Sequence, residues 1–197
     1  KKTLHLLMKE LCKIKGIRWI RVLYCYPEEI YDELIQVMKE EKKICHYLDL
    51  PIQHASDRIL KRMGRRTTRA QLTATIEKLR KEIPDIVLRT TLITGFPGET
   101  EEDHQELMEF VDEMEFDRLG AFTYSPEEGT PAETMEDQIP EEIKEERRDE
   151  IMELQQEISL EKGNDRIGQE LLVMIEGKVS GESAYIARTY GDAPKVG

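Results

Sequence analysis

The sequence of 197 residues predicts an α/β protein in which parallel strands alternate with helices. Four apolar, strand-like runs lie between segments whose apolar residues recur at helical spacing. A connection through a helix returns the chain to the same end of the sheet, so such strands run parallel. After Gly163 the helical pattern stops and two further strand-like runs follow. We therefore predict a β/α domain over residues 1–163 and a small β module over residues 164–197.

The helices are predicted from apolar periodicity and from their end signals. Thr68-x-x-Gln71 is a capping box, and Thr100-Glu101-Glu102-Asp103 resembles one. A short helix should stop before Gly64, and a long one should begin at Pro140, where proline is tolerated. The apolar faces span Leu4–Ile14, Ile30–Met38, Asp57–Met63, Leu72–Ile83, Leu107–Met114 and Ile143–Ile158.

The strands are predicted from short apolar runs between these helices. The first four are Ile17–Tyr24, Tyr47–Ile52, Ile86–Ile93 and Arg118–Tyr124. The later two are Glu170–Ile175 and Ala184–Tyr190, with a turn over Gly177–Glu182 between them. Four β/α units do not close an eight-stranded barrel, so the sheet is either open or part of a truncated barrel.

Three strand ends run into polar loops marked by glycine or proline. They read Gln53-His54-Ala55-Ser56, Gly95-Phe96-Pro97-Gly98-Glu99 and Tyr124-Ser125-Pro126-Glu127-Glu128. Ligands of α/β proteins bind at the carboxyl ends of parallel strands, and glycine lets a ligand approach the main chain. The pattern therefore predicts one shared cleft. Each loop also has a simpler interpretation, in which the turns are ordinary, Ser56 caps a helix and the apolar residues belong to the core.

Charge is distributed unevenly, with a net value of −12. Between Glu99 and Lys162 there are 24 acidic and 5 basic residues, whereas Arg58–Arg69 holds six basic residues and no acidic one. The net charge argues against general nucleic-acid binding, which needs clustered Lys and Arg. An acidic surface suits a basic protein partner, although most of these carboxylates are more typical of a solvated helix face.

Cysteine spacing and hydropathy give further expectations. Cys12, Cys25 and Cys45 form no C-x-x-C or C-x-x-x-C pair, so we predict no metal site and expect reduced, buried thiols. No apolar run reaches the length of a membrane span. The chain opens KKTLHLLMKE, an amphipathic helix with neither a signal peptide nor an initiator Met. We expect a cytoplasmic location and an internal fragment of a longer protein.

Three stretches together resemble a known family. PIQHASDRILKRMGR, TLITGFPGET and FTYSPEEGTPA are similar to the later strands of the radical S-adenosylmethionine (SAM) methylthiotransferases, and the resemblance extends from about Ile17 to the C-terminus. The members that modify tRNA carry a glycine between the counterparts of His54 and Ser56, and Arg-Pro at the counterpart of Glu127-Glu128. Here QHAS and EEGT match the members that modify an aspartate of ribosomal protein S-12.

The resemblance implies a fold, a reaction and partners. The chain would hold the last four strands of a six-stranded, partial TIM-like barrel and the start of a TRAM-like β-barrel module. The first two strands and a C-x-x-x-C-x-x-C cluster loop would precede Lys1. The whole enzyme would use SAM, two 4Fe-4S clusters and a reducing electron donor to insert a methylthio group into ribosomal protein S-12. This fragment would be inactive alone and would contain no catalytic residue or metal ligand.

The resemblance also assigns candidate site residues. Gln53 and Ser56 would bind the ribose or amino-acid part of SAM, and Arg65 its carboxylate. Adenine would lie on an apolar, backbone-lined shelf beside the last strand. The cofactor candidates are thus Gln53, Ser56, Arg65, Ile93, Gly95, Phe96, Tyr124 and Ser125. His54, Glu99 and Glu128 are candidates for the substrate side, with loop ordering as the alternative role of the two glutamates.

Two other functions stay open from the sequence. One is a tRNA methylthiotransferase of the same fold, disfavoured by the acidity and by the QHAS and EEGT motifs. In RNA-binding versions the TRAM domain is basic, whereas residues 163–197 hold four basic and five acidic residues. The other is a non-catalytic interaction module that keeps the half-barrel without the cluster.

Overall fold

The computed structural model describes residues 3–194. Four parallel strands form one sheet in sequence order: β1 (Ile20–Val22), β2 (Ile44–Asp49), β3 (Val87–Thr94) and β4 (Arg118–Thr123). The helices are α1 (Leu4–Cys12), α2 (Asp32–Glu40), α3 (Asp57–Arg62), α4 (Arg69–Glu82), α5 (Glu101–Met114) and α6 (Glu141–Asp165). Short 3₁₀ turns cover Pro27–Glu29 and Pro131–Thr134. An antiparallel hairpin of β5 (Val173–Lys178) and β6 (Tyr185–Thr189) follows.

The predicted parallel β/α arrangement is confirmed. The register of β3 with β4 is continuous, from Arg89 opposite Arg118 to Thr94 opposite Thr123. The helix-end signals also hold, because Thr68 with Gln71 and Thr100 with Asp103 each form both hydrogen bonds of a capping box. The short helix α3 ends before Gly64, which has the left-handed backbone angle φ of 72°.

The two faces of the sheet differ in burial. On the outer face, Leu88 and Leu92 of β3 are fully buried against the helices, in the same core as Phe110 and Ile151. Burying such a side chain stabilises the fold by about 1.5–3 kcal/mol. On the inner, concave face the alternate residues Arg89, Thr91 and Ile93 are only half-buried. The concave face is therefore the side of the sheet that remains open to a ligand.

Several strand boundaries differ from the prediction. β1 is only three residues long, and β2 begins at Ile44 rather than Tyr47. Ile44 pairs with Ile20, so the neighbouring strand extends β2 at its start. β2 also ends earlier, before Pro51, which has no backbone N–H to donate to a ladder. In the C-terminal hairpin β5 lies three residues later than predicted, with an irregular register between Ile175 and Gly177.

Residues just after the C-terminal hairpin contact β1, β4 and the segment before β3. Arg21 of β1 donates to the Tyr190 carbonyl oxygen at 2.7 Å, and Arg118 of β4 pairs with Asp192 at 2.7 Å. The Tyr190 hydroxyl donates to the Asp85 carbonyl oxygen at 2.7 Å. The assignment of this hairpin to a TRAM-like module, and the boundary after residue 163, remain predictions.

The burial of the cysteines and the apolar content of the helices bear on two further expectations. Cys25 and Cys45 are buried, Cys12 is half-buried, and the three form no disulfide with one another. Within residues 3–194, no helix combines the length and the apolar composition needed to cross a membrane.

Candidate functional site

A cavity of about 490 Å³ opens where β2, β3 and β4 end. Its position agrees with the expectation that parallel strands present a ligand site at their carboxyl ends. Six of the cofactor candidates line it: Gln53, Arg65, Ile93, Phe96, Tyr124 and Ser125. Sequence reasoning missed four further lining residues, Met63, Thr91, Phe122 and Thr123. Thr91 alternates with Ile93 along β3, so the two-residue period of the strand could have identified it.

Gln53 is held in the cavity wall by an unusual backbone. Its φ is 73°, a left-handed angle that costs a non-glycine residue on the order of 1–3 kcal/mol. Two hydrogen bonds to β3 maintain it: its N–H donates to the Thr91 carbonyl at 3.0 Å and its carbonyl accepts from the Ile93 N–H at 2.8 Å. These bonds fix the base of the Gln53 side chain at the cavity.

The apolar part of the cavity is formed by Ile93, Phe96 and Tyr124. The Phe96 and Tyr124 rings meet edge to face, with their centroids 5.2 Å apart. Tyr124 is 8% exposed, and its hydroxyl has no hydrogen-bond partner among the described residues. Burial, with Glu133 and Glu127 nearby, raises the pKa of Tyr124, so the phenol stays protonated. A buried hydroxyl without a partner is costly, which suits a wall that binds a polar ligand.

Arg65 contributes positive charge to the cavity. Its guanidinium lies over the Tyr26 ring at 4.9 Å and donates to the Pro51 carbonyl oxygen at 3.2 Å. Among residues 3–194, no carboxylate forms an ion pair with it. The remaining N–H groups can therefore bind an anionic group of a ligand, such as a carboxylate.

His54 and Glu99 lie behind the cavity rather than facing it. Both side chains are fully buried, with His54 Nε2 3.3 Å from Glu99 Oε2. The same Glu99 oxygen accepts the Gly95 N–H at 2.9 Å, and Glu99 Oε1 accepts from Arg147 at 2.9 Å. Burial opposes ionisation of Glu99, but His54, Gly95 and Arg147 outweigh it and hold the pKa of Glu99 below its usual range. The glycine turn folds Glu99 back toward α6, where its carboxylate orders the loop, as in its alternative role. The assignment of His54 and Glu99 to the substrate side stays a prediction.

Ser56 is also directed away from the cavity. It occupies the N-cap position of α3, yet its hydroxyl makes no capping bond and donates to Asp103 Oδ1 at 2.6 Å. Asp103 also binds Arg58 and accepts from the Thr100 N–H at 2.8 Å. Although burial opposes ionisation, these donors lower the pKa of Asp103 far below its usual range. Ser56 at the start of α3 thus donates to the charged carboxylate of Asp103 at the start of α5, and this hydrogen bond joins the two helices.

The last two candidates, Gly95 and Glu128, do not line the cavity. A Cβ atom on Gly95 would lie 2.1 Å from Lys144 Cγ, so this glycine accommodates a side chain of α6. Glu128 is exposed on the loop after β4. Lys144 and Arg147 were not recognised as neighbours of the site, although helical spacing places both on the face that buries Ile151 and Ile158.

No group of three or more His, Cys, Asp or Glu side chains within residues 3–194 is arranged to hold a metal ion.

Comparison with known families decides the classification. Residues 2–111, more than half of the chain, match the Radical SAM superfamily. The chain belongs to the radical SAM superfamily. The resemblance noted in its three loop motifs is therefore confirmed at the level of this superfamily, and so is a partial barrel as its fold.

Two curated relatives of this radical SAM chain carry the same name. It is 62% identical over 196 residues to "Ribosomal protein uS12 methylthiotransferase RimO" of Lachnoclostridium phytofermentans, covering 100% of this chain and 44% of the relative. It is 56% identical over 195 residues to the protein of that name from Clostridium perfringens, covering 99% of this chain and 43% of the relative. The radical SAM chain therefore spans less than half the length of these relatives.

A solved structure shows the same fold. The radical SAM chain superposes on coproporphyrinogen III oxidase (HemN) from Escherichia coli, described as a radical SAM enzyme, with a TM-score of 0.62 and 19% identity. The match covers 79% of this chain and 36% of that one. At this identity the likeness concerns the fold alone.

Proposed function

We propose that this chain is part of a methylthiotransferase that converts C–H to C–S–CH₃ on an aspartate of ribosomal protein uS12. The observation that carries the proposal is the 62% identity, across the whole chain, to a relative named for that activity. The QHAS and EEGT motifs support the same substrate class over tRNA.

The cavity residues fit SAM. The unpaired Tyr124 hydroxyl can donate to the adenosine part, and Ile93 and Phe96 offer an apolar wall for adenine. The Gln53 amide and the Arg65 guanidinium supply a donor set for the ribose and the carboxylate. When bound, one SAM molecule would supply the radical that removes a hydrogen atom, and another SAM molecule would supply the methyl group that is transferred. The residues of this chain would bind and orient it and keep water from its adenosine part.

The cysteines of this chain do not fit an iron–sulfur cluster. Cys12 lies in α1, Cys45 in β2 and Cys25 between β1 and α2, and the described residues offer no set of ligands. Superfamily membership implies one 4Fe-4S cluster, and we propose a second in the parent protein, both held by residues outside this sequence. No step is assigned to either cluster.

We propose uS12 as a basic protein partner, a reducing protein as the electron donor, and the cytoplasm as the compartment. The excess of carboxylates between Glu99 and Lys162 supports a basic partner. The same excess disfavours RNA as the main substrate.

The test is a competition on the full-length, cluster-reconstituted protein. Purified uS12 and bulk tRNA are offered together with SAM, a sulfur source and a reductant, and both products are examined by mass spectrometry. We expect methylthiolation of uS12 at one aspartate and none of tRNA. Preferential modification of tRNA would overturn the substrate assignment, and the absence of any SAM cleavage would overturn the enzyme assignment.

A further inference from the structure

Helix α6 buries two cations directly behind the cavity. Lys144 is 5% exposed and Arg147 is 7% exposed, three residues apart on one face of the helix. Removing an ammonium or a guanidinium from water is costly unless it is paired and hydrogen-bonded. Arg147 is paired with Glu99 at 2.9 Å. Lys144 instead donates to a backbone carbonyl oxygen as well as to a carboxylate.

Lys144 joins the ends of the two strands that form the cavity. Its Nζ donates to the Tyr124 carbonyl oxygen at 2.9 Å and to Glu141 Oε2 at 3.0 Å. Its own carbonyl oxygen accepts from the Thr94 hydroxyl at 3.0 Å. Tyr124 lies one residue beyond the end of β4, and Thr94 is the last residue of β3. One residue of α6 therefore contacts both strand ends just before they enter the loops of the site.

The backbone of the glycine turn leaves room for this side chain. Gly95 has φ of 70°, and a Cβ atom there would lie 2.1 Å from Lys144 Cγ and 2.9 Å from Lys144 Cβ. Any larger residue at position 95 would displace the Lys144 stem, in addition to being strained. The stem thus passes across the turn that carries Phe96, and its charged end reaches the strand end that carries Tyr124.

We propose that Lys144 is a positioning residue of the cofactor cavity. The ammonium of Lys144 fixes the Tyr124 carbonyl and thereby orients the Tyr124 ring with its unpaired hydroxyl. It also fixes the position of Ser125, the next residue in the cavity wall. The aromatic wall has two halves, and Lys144 contacts the backbone of both, at Gly95 and at Tyr124. The inference rests on the proposed function, because it takes the adenosine part of SAM as the ligand beside Tyr124.

The experiment compares two Lys→Met substitutions on the same helix of the full-length, reconstituted protein. Lys144→Met keeps an unbranched apolar stem and removes the ammonium. Lys162→Met is the matched control, since Lys162 also lies on α6 but is partly exposed, with Nζ 3.8 Å from Glu115. Calorimetry measures the Kd and the stoichiometry for SAM and for 5′-deoxyadenosine. We expect Lys144→Met to raise both Kd values about tenfold at unchanged stoichiometry, as for a lost charged hydrogen bond, and Lys162→Met to change neither.

A purely structural role gives a different result. Partial unfolding lowers the fraction of sites that bind, so the stoichiometry would fall while the Kd stayed at the wild-type value, and that outcome overturns the proposal. If Lys144→Met fails to fold, Thr94→Val removes the hydroxyl that donates to the Lys144 carbonyl at 3.0 Å and lies 3.5 Å from the Phe122 carbonyl oxygen. We expect a two- to fivefold rise in Kd from Thr94→Val, and an unchanged Kd overturns the proposal. A wild-type protein that binds no SAM would contradict the proposed function itself, which separates the two failures.

Discussion

At the scale of single residues, the cavity wall contains one residue with a strained backbone and one buried hydroxyl group without a hydrogen-bond partner. Gln53 has a left-handed backbone, and the buried Tyr124 hydroxyl has no partner among the described residues. Both features cost free energy in the folded protein and are typical of sites that a ligand completes.

Gln53→Ala tests the amide directly. It retains a Cβ, so the backbone strain is unchanged, and it removes the side-chain hydrogen bond that we propose Gln53 makes to SAM. In the full-length protein we expect SAM binding to weaken by about 1–3 kcal/mol, measured by calorimetry. Gln36→Ala, on the exposed face of α2, is the control and should leave the affinity as it is. Equal affinities for wild type and Gln53→Ala would remove Gln53 from the site.

At the scale of elements, the starts of α3 and α5 are joined through Asp103. Ser56 at the N-cap of α3, Arg58 within α3 and Thr100 at the N-cap of α5 all donate to its carboxylate. A carboxylate at a helix N-terminus is further stabilised by the helix dipole. This junction holds together the loops that follow β2 and β3.

The junction should make stability depend on pH in an acidic window. The folded-state pKa of Asp103 is lowered, so the carboxylate stabilises the fold above its unfolded pKa, near 4, and this contribution is lost as pH falls toward the folded value. We expect Asp103→Asn to cost about 1–3 kcal/mol at pH 7. The difference in Tm from wild type should be constant from pH 7 to 5 and shrink below about pH 4.

The control for this prediction is Asp112→Asn, which makes the same charge change at an exposed position of α5. It should leave Tm nearly unchanged throughout. A difference between Asp103→Asn and wild type that grows as the pH falls below 4 would contradict the sign of the argument.

At the scale of the whole molecule, charge is segregated. The second half of the β/α domain is strongly acidic, whereas the basic residues of Arg58–Arg69 lie on α3, on the loop after it and at the first residue of α4. Some of these cations are paired across helices, as Arg58 is with Asp103 and Arg69 with Glu113. These paired cations stabilise the domain and are not available to bind an anionic ligand. The net charge of the surface therefore stays acidic.

This segregation predicts a salt-dependent encounter with a basic partner. The association rate constant of the full-length protein with uS12 should fall as ionic strength rises through about 0.1 M, where screening reaches about 10 Å. Stopped-flow fluorescence measures it. Glu128→Gln, on the exposed loop beyond Tyr124, should lower the rate more than Glu33→Gln on α2. A rate that is insensitive to salt would exclude steering by this surface.

The sequence by itself determined the alternation of strands and helices, both capping boxes and the three loops that bear the site. These features are local, because periodicity, glycine and caps act over a few residues. Six cofactor candidates could be placed at one cavity because parallel strands end at the same edge.

Only the tertiary structure decided where the remaining polar groups point. Ser56 and Glu99 have the same local signals as Gln53, yet they bind Asp103 and Arg147, which lie 47 and 48 residues away in the chain. Likewise, helical periodicity places Lys144 on a buried face but cannot reveal that it reaches Gly95 and Tyr124. A buried donor or acceptor must form a hydrogen bond, and its partner is a residue distant in the sequence that lies next to it only in the folded structure. Local sequence patterns therefore cannot identify that partner.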